Sequence, residues 1–183
     1  MHNSHIGKYA MPRLLVKAAA IVWLTCCYPS GFAADMPPGA DDGILLQQAA
    51  KAKFISVPGV PACTTLAPLR GDMGKTASTL MVRMTAGCMV PFHWHTPAEE
   101  MVVLQGSPLA QMLGKHPYVL KVGSYSQLPT HHVHRFKCTS KVDCLFFLVA
   151  DGPFDIHFVD EQGKEISTEA ALDFAAKATN AKW

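Results

Sequence analysis

The reading of this chain turns on Gly87-Cys88-Met89-Val90-Pro91-Phe92-His93-Trp94-His95-Thr96-Pro97-Ala98-Glu99-Glu100-Met101-Val102-Val103-Leu104-Gln105-Gly106. Side chains two apart on a strand project to one face, so His93 and His95 aim together and Trp94 aims away. Thr96-Pro97 is a turn signal that ends this strand. Glu99 then opens the apolar run Met101 to Leu104, which reads as the next strand. Two imidazoles and a carboxylate on adjoining strands make a donor set for a divalent metal. The bland alternative is a pair of surface histidines beside an exposed acid. Glycines framing the block argue against it, and so does a second histidine cluster downstream.

That cluster is Pro129-Thr130-His131-His132-Val133-His134-Arg135-Phe136. On a strand, His132 and His134 share one face and His131 and Val133 the other. With the first cluster pointing inward, His134 is the natural fourth ligand. His132 shares the ligand's face and is the candidate catalytic acid or base, with a solvent-facing rim histidine as the alternative. His157 is open between facing in and facing out. His116, beside Pro117, reads as exposed in a turn. The nine methionines are scattered, which suits core packing better than copper binding. No nucleophile elbow is present, and Gly71-Asp72-Met73-Gly74-Lys75 lacks the glycine spacing of a phosphate-cradling loop.

Around these clusters the chain reads as short strands. Ser78 to Met84 alternates, with Leu80, Val82 and Met84 on one face and Arg83 on the other. Further runs are Glu100–Leu104, Leu109–Leu113, Tyr118–Val122, Ser124–Leu128, Val133–Cys138, Cys144–Ala150 and Phe154–Val159, separated by Gly106, Gly114, Gly123, Pro129 and Gly152. Short strands at close spacing predict a β-sandwich or barrel. An apolar cavity is expected from Val82, Met84, Met101, Val103 and Phe136. Thr168 to Ala178 reads as a helix capped by Ser167 or Thr168, packing Leu172, Phe174 and Ala175. Ile44 to Lys53 reads as a second short helix behind Asp41 or Asp42. There is no internal repeat.

The beginning of the chain is a different kind of sequence. Lys8, Arg13 and Lys17 precede the apolar run Ala18–Cys27, and small residues follow at Gly31, Ala33 and Ala34. This is the layout of a secretory signal peptide cleaved after Ala33, with Met1 or Met11 as initiator. The apolar run is shorter than the roughly 20 residues a membrane span needs. Of sixteen Lys and Arg in the 183-residue chain, three sit in this leader, leaving thirteen against fourteen acids. The net charge of +2 therefore belongs to the leader. Nothing basic remains to suggest nucleic acid, or a membrane partner after cleavage. With 49% apolar and 16% charged residues, the composition excludes a disordered chain. The expected location is periplasmic or secreted.

Four cysteines follow the leader: Cys63, Cys88, Cys138 and Cys144. In an oxidising compartment they suggest disulfides, and four cysteines allow three pairings. Cys138 and Cys144 flank the polar turn Thr139–Asp143 and could face each other across a hairpin, leaving Cys63 with Cys88. Four buried free thiols remain the alternative.

At the two histidine clusters the chain resembles the cupins. Gly87, His93, His95, Glu99 and Gly106 meet the first cupin motif in full. Gly123, Pro129 and His134 meet the second, with His131 where glycine is usual and Cys138 where asparagine is usual. Gly71-Asp72, Pro91 to His95 and Gly152-Pro153-Phe154-Asp155 are similar to the ChrR-like group of small cupins. The resemblance implies an all-β fold, a cupin-type jelly-roll β-barrel with short flanking helices. It implies a divalent transition metal (iron, manganese, zinc, nickel or copper) held by His93, His95, Glu99 and His134. Glu99 is favoured over Glu100 because only Glu99 has the motif's spacing to Gly106. The implied organisation is a signal peptide over 1–33, a lead-in with a short helix over 34–60, a cupin β-barrel over 61–160, and a C-terminal helix and tail over 161–183. A homodimer is expected on the same ground.

Three neutral imidazoles and one carboxylate leave a divalent ion with net charge near +1, which favours an anionic ligand such as an enolate, a carboxylate or reduced oxygen. The leading expectation is an exported metal-dependent enzyme, dioxygenase-like, acting on a small organic substrate. The rival is a non-catalytic periplasmic cupin that binds or senses a metal or small molecule.

Overall fold

The structure, a computed structural model, describes Gln48 and residues 51–179. The expected leader lies outside these residues, as do six of the ten residues of the short helix expected over Ile44–Lys53. Ten strands and one helix are found among the described residues: β1 (Thr64–Arg70), β2 (Ser78–Met84), β3 (Met89–Trp94), β4 (Glu99–Gln105), β5 (Pro108–Met112), β6 (Tyr118–Val119), β7 (Tyr125–Leu128), β8 (His134–Cys138), β9 (Cys144–Ala150), β10 (His157–Phe158) and α1 (Thr168–Ala178). They form two five-stranded antiparallel sheets, in the orders β1-β2-β9-β4-β7 and β10-β3-β8-β5-β6. The core lies between the sheets, where Phe136 of β8 meets Phe146 of β9 edge-on, ring centroids 5.9 Å apart. The fold is all-β, as the spacing of the strands predicts.

The alternation that marks each strand decides which sheet face is buried. In β9, Cys144, Phe146, Leu148 and Ala150 are buried and the residues between them are not. Their partners across the ladder are Met84, Val82, Leu80 and Ser78 of β2, so one apolar stripe crosses both strands.

Two strand expectations are corrected, and one strand was not anticipated. Thr64–Arg70 carries Pro68, which cannot donate to a ladder and so hides a strand from a sequence reading. Here β1 sits at a sheet edge, and its register with β2 slips between Pro68 and Arg70. The runs expected over Tyr118–Val122 and Phe154–Val159 shrink to the two-residue strands β6 and β10. Both lie at sheet edges, where short strands limit pairing with other chains.

At the C-terminal end, Ser167 caps α1, its hydroxyl accepting the Ala170 N–H, which satisfies one of the helix's unpaired first-turn donors. The helix lies against β3 through Ala171 and Ala175, with Leu172 half-buried. The expectation for Phe174 is corrected, since this ring is 47% exposed. Two alanines four residues apart give a flat face that lets the helix approach closely, and Phe174 lies at the edge of that face, where its ring meets solvent.

The cysteines form two bridges, Cys63–Cys88 and Cys138–Cys144, each with Cα atoms 5.6 Å apart. One ties the segment before β1 to the turn before β3, and the other clips β8 to β9.

Candidate metal centre

Pro91 begins the site. Lacking an N–H, it interrupts the β3–β8 ladder, which shifts register between Val90 and His93. The Pro91 carbonyl accepts the Nδ1–H of His93 at 2.7 Å. His134, the first residue of β8, donates its Nδ1–H to the His132 carbonyl, also at 2.7 Å. His95, one residue beyond β3, donates Nδ1–H to the carbonyl of Asp155. Each acceptor is a carbonyl, so each Nδ1 carries a proton and Nε2 is the nitrogen left for the interior. This is how metal-binding histidines are held in one tautomer and orientation.

The three rings meet. Centroid separations are 4.8 Å for His93–His95, 4.3 Å for His93–His134 and 5.5 Å for His95–His134. One ring nitrogen from each lies within 4.8 Å of the others, and all three residues are buried. Burial holds the His93 imidazole well below its ordinary pKa, with His134 and His95 adding to the effect. Burial, and then His95, lowers His134 to about 3. Both are therefore neutral at physiological pH, the form that ligates metal.

Glu99 starts β4 and is 3% exposed, whereas Glu100 points to solvent. One carboxylate oxygen lies 3.5 Å from His95 Nε2. Donors that share one ion at about 2.0–2.2 Å sit roughly 3–4 Å from each other. The other oxygen, Oε1, is buried without a hydrogen-bond partner. Burial raises the Glu99 pKa, His95 pulls it down, and Asp155 pushes it up. A buried carboxylate with an orphaned oxygen is costly unless a cation compensates it. Nitrogen donors in a single tautomer and an unmet carboxylate oxygen suit a divalent transition metal, without selecting which one.

The four groups line a cavity of about 70 Å³ whose other walls include Val82, Met84, Met101 and Phe136. Val103, expected among them, is buried in the core and is absent from the lining. His132 is exposed and outside the lining; it serves the site through its carbonyl. His157 faces away from the cavity. It pairs with Trp94 in the ladder, as Phe158 pairs with His93, and its ring lies flat on the indole with centroids 3.9 Å apart. His116 is exposed, as expected.

A sequence reading overlooks Asp155. Besides its carbonyl on His95, its Oδ1 accepts the Thr96 N–H at 2.8 Å and its Oδ2 lies 3.3 Å from His157 Nε2. Partial burial alone would raise this carboxyl, but the bonds from Thr96 and His157 outweigh it and hold the pKa below the ordinary value. The only signal in the sequence was Gly152-Pro153-Phe154-Asp155, which gave no role for the acid.

The sequence pattern of the ChrR cupin-like domain matches residues 43–155, more than half of the chain. DNA damage-repair/toleration protein DRT102 of Arabidopsis thaliana is 36% identical over 88 residues, which is 48% of this chain and 27% of that protein. The chain thus spans well under two thirds of that relative's length. The polyketide cyclase RemF of Streptomyces resistomycificus superposes with a TM-score of 0.53 at 20% identity, over 70% of this chain and 98% of that one. The cupin-2 domain Rru_A2000 of Rhodospirillum rubrum gives a TM-score of 0.52 at 14% identity, over 66% and 82% of the two chains. At such identities these two likenesses are of fold.

Proposed function

The chain belongs to the ChrR cupin-like domain family, and from that premise we propose that it is an exported metal-dependent enzyme, dioxygenase-like, acting on a small organic anion. One observation carries the reading: three buried imidazoles each bring a nitrogen within 4.8 Å of the others, and Glu99, with an unmet carboxylate oxygen, lines the same cavity. His93, His95, His134 and Glu99 would hold the ion. A divalent metal so bound supplies Lewis acidity and, if redox-active, the capacity to bring substrate and dioxygen together. The backbone carbonyls of Pro91, His132 and Asp155 keep the imidazoles in the ligating tautomer. The apolar walls exclude water and so strengthen electrostatic attraction inside. Export is supported by two cysteine pairs at bonding distance, which fit an oxidising compartment. No helix among the described residues is long and apolar enough to cross a membrane.

A second reading has an observation of its own. Beyond the four ligands, the cavity lining holds no titratable side chain, which suits a periplasmic binding or sensor cupin equally well. Metal analysis of protein from its native compartment, with oxygen uptake over a panel of enolisable and phenolic compounds, separates the two. Stoichiometric iron with substrate-dependent uptake supports the enzyme. Bound metal without turnover of any compound favours the binding module, and metal-free protein overturns the enzyme and leaves only a module that binds a small molecule without metal.

A further inference from the structure

The ligand-lined cavity is too small to hold an organic substrate alone. At about 70 Å³ it has room for a reacting head group and a few waters, whereas sites for small organic molecules run to roughly 300–1,000 Å³. A second space of about 390 Å³ lies against it, and Phe154 and Ile156 line both. The outer walls of this cleft include Val57, Pro58 and Met73, with Asp155 and Thr168 as its polar groups.

Phe154 and Ile156 form the partition. Both are half-buried, and the Phe154 ring stands 5.3 Å from that of His95. The Phe154 N–H donates to the Met73 carbonyl at 2.6 Å, which ties the partition to the β1–β2 loop on the cleft's far side. Asp155, between the two partition residues, also lines the cleft, and its carboxylate, held by Thr96 and His157, stands close by. A molecule that passes this partition meets cationic ground at the inner end, apolar walls along the cleft, and an acid beside it.

We propose that this cleft is the tail subsite of the metal cavity, selecting a monoanion whose carboxylate or enolate head passes Phe154 and Ile156 while a short unbranched apolar tail lies against Val57, Pro58 and Met73. The proposal rests on the metal-centre reading above and adds the substrate class to it. The head is anionic because the loaded donor set carries about one net positive charge. The tail is apolar because most of the cleft wall is. A second negative charge at the tail is rejected because Asp155 stands there.

The test uses the full chain loaded with cobalt(II), whose visible absorption reports ligands entering the metal's coordination. Acetate, butanoate, hexanoate and hexanedioate are titrated in turn. Affinity should rise from acetate to hexanoate by roughly fourfold for each methylene that enters the cleft, and hexanedioate should bind at least tenfold more weakly than hexanoate. Met73→Gln should flatten the dependence on chain length. An intact cobalt spectrum with equal affinity for all three monocarboxylates overturns the tail subsite and leaves the metal centre standing. Hexanedioate binding as tightly as hexanoate overturns the part given to Asp155. An unchanged slope in Met73→Gln places the tail elsewhere. A protein that takes up no cobalt removes the metal reading, and this proposal with it.

Discussion

The ring of His95 is held by the carbonyl of Asp155, 60 residues further along the chain. The same aspartate fixes the turn after His95 through Thr96 N–H and reaches His157 with its other oxygen. Asp155, in the segment between β9 and β10, thus sets the direction of a ligand far back in the sequence.

Asp155→Ala keeps the carbonyl but removes both carboxylate contacts. Outer partners of metal ligands are typically worth 10–100-fold in metal affinity, and the carbonyl that remains puts this variant at the lower end, about tenfold. Competition against a chelator of known affinity measures it. An unchanged constant would mean that the backbone alone orients His95.

Glu99 should reveal itself by opposite effects on binding and stability. Its Oε1 has no partner and its Oε2 comes no closer than 3.5 Å to His95 Nε2, so the metal-free protein carries a desolvated group with little to offset its burial. Glu99→Met, similar in shape and apolar, should raise the stability of the metal-free protein by about 1–3 kcal/mol. The same change should abolish tight metal binding. Urea midpoints on metal-free protein, paired with metal titration, read both. A destabilised variant would show that the carboxylate has a structural partner.

Acid sensitivity should follow from the buried histidines. His134 titrates at about 3 when folded against an ordinary 6.5, and His93 is likewise lowered. Below pH 6.5 the unfolded chain therefore binds more protons than the folded one. Stability of the metal-free protein is complete above that pH and falls as the pH drops toward 3. The slope is about 1.4 kcal/mol per pH unit for each histidine. Glu99, whose folded pKa is raised, acts in the opposite direction, its contribution being lost as pH rises. Bound metal adds stability but does not change this slope, because the folded rings are already neutral without it and the protons go to the unfolded chain. Thermal melts of metal-free and loaded protein between pH 4 and 7 should therefore fall together, separated by a nearly constant offset.

The two disulfides should differ in value. The Cys63–Cys88 loop spans 25 residues and the Cys138–Cys144 loop 6. Chain entropy assigns about 3.5 kcal/mol to the longer loop and about 2 kcal/mol to the shorter. Paired Cys→Ala variants, compared by denaturant midpoint, should rank in that order.

These residues also mark what a sequence can reveal. Ser78–Met84 was legible because a buried face writes a period of two into the chain, and Cys144–Ala150 because its seven apolar residues form a short run bounded by turn signals. Thr64–Arg70 was hidden by Pro68, and the edge position that tolerates a proline appears only once the sheet is assembled. His93, His95 and Glu99 were legible because they lie within seven residues of one another in the chain, at the end of β3 and the start of β4. His132 was misleading for the converse reason: strand alternation was extended through a turn, and β8 begins only at His134. Asp155 and the Phe154–Ile156 partition could not be seen, since they reach the site by tertiary contacts that no local pattern encodes.

His131 leads to the last prediction. Its φ is 58°, in the left-handed region, at the position where the cupin motif carries glycine. Its N–H donates to the His95 carbonyl at 2.8 Å, so the turn cannot relax without disturbing a ligand's backbone. Its ring lies 4.6 Å from that of Trp94, a contact of a kind worth about 0.5–1.5 kcal/mol. Against this stands a backbone cost of about 1–2 kcal/mol for a side chain in that conformation. His131→Ala loses the ring contact and keeps the strain, whereas His131→Gly loses the contact and the strain together. The glycine variant should therefore be the more stable of the two by about 1 kcal/mol, reversing the usual order of alanine over glycine. Denaturant midpoints of the pair decide it. If alanine proves the more stable, the turn has relaxed out of the left-handed region, and the hydrogen bond to His95 is not what holds it there.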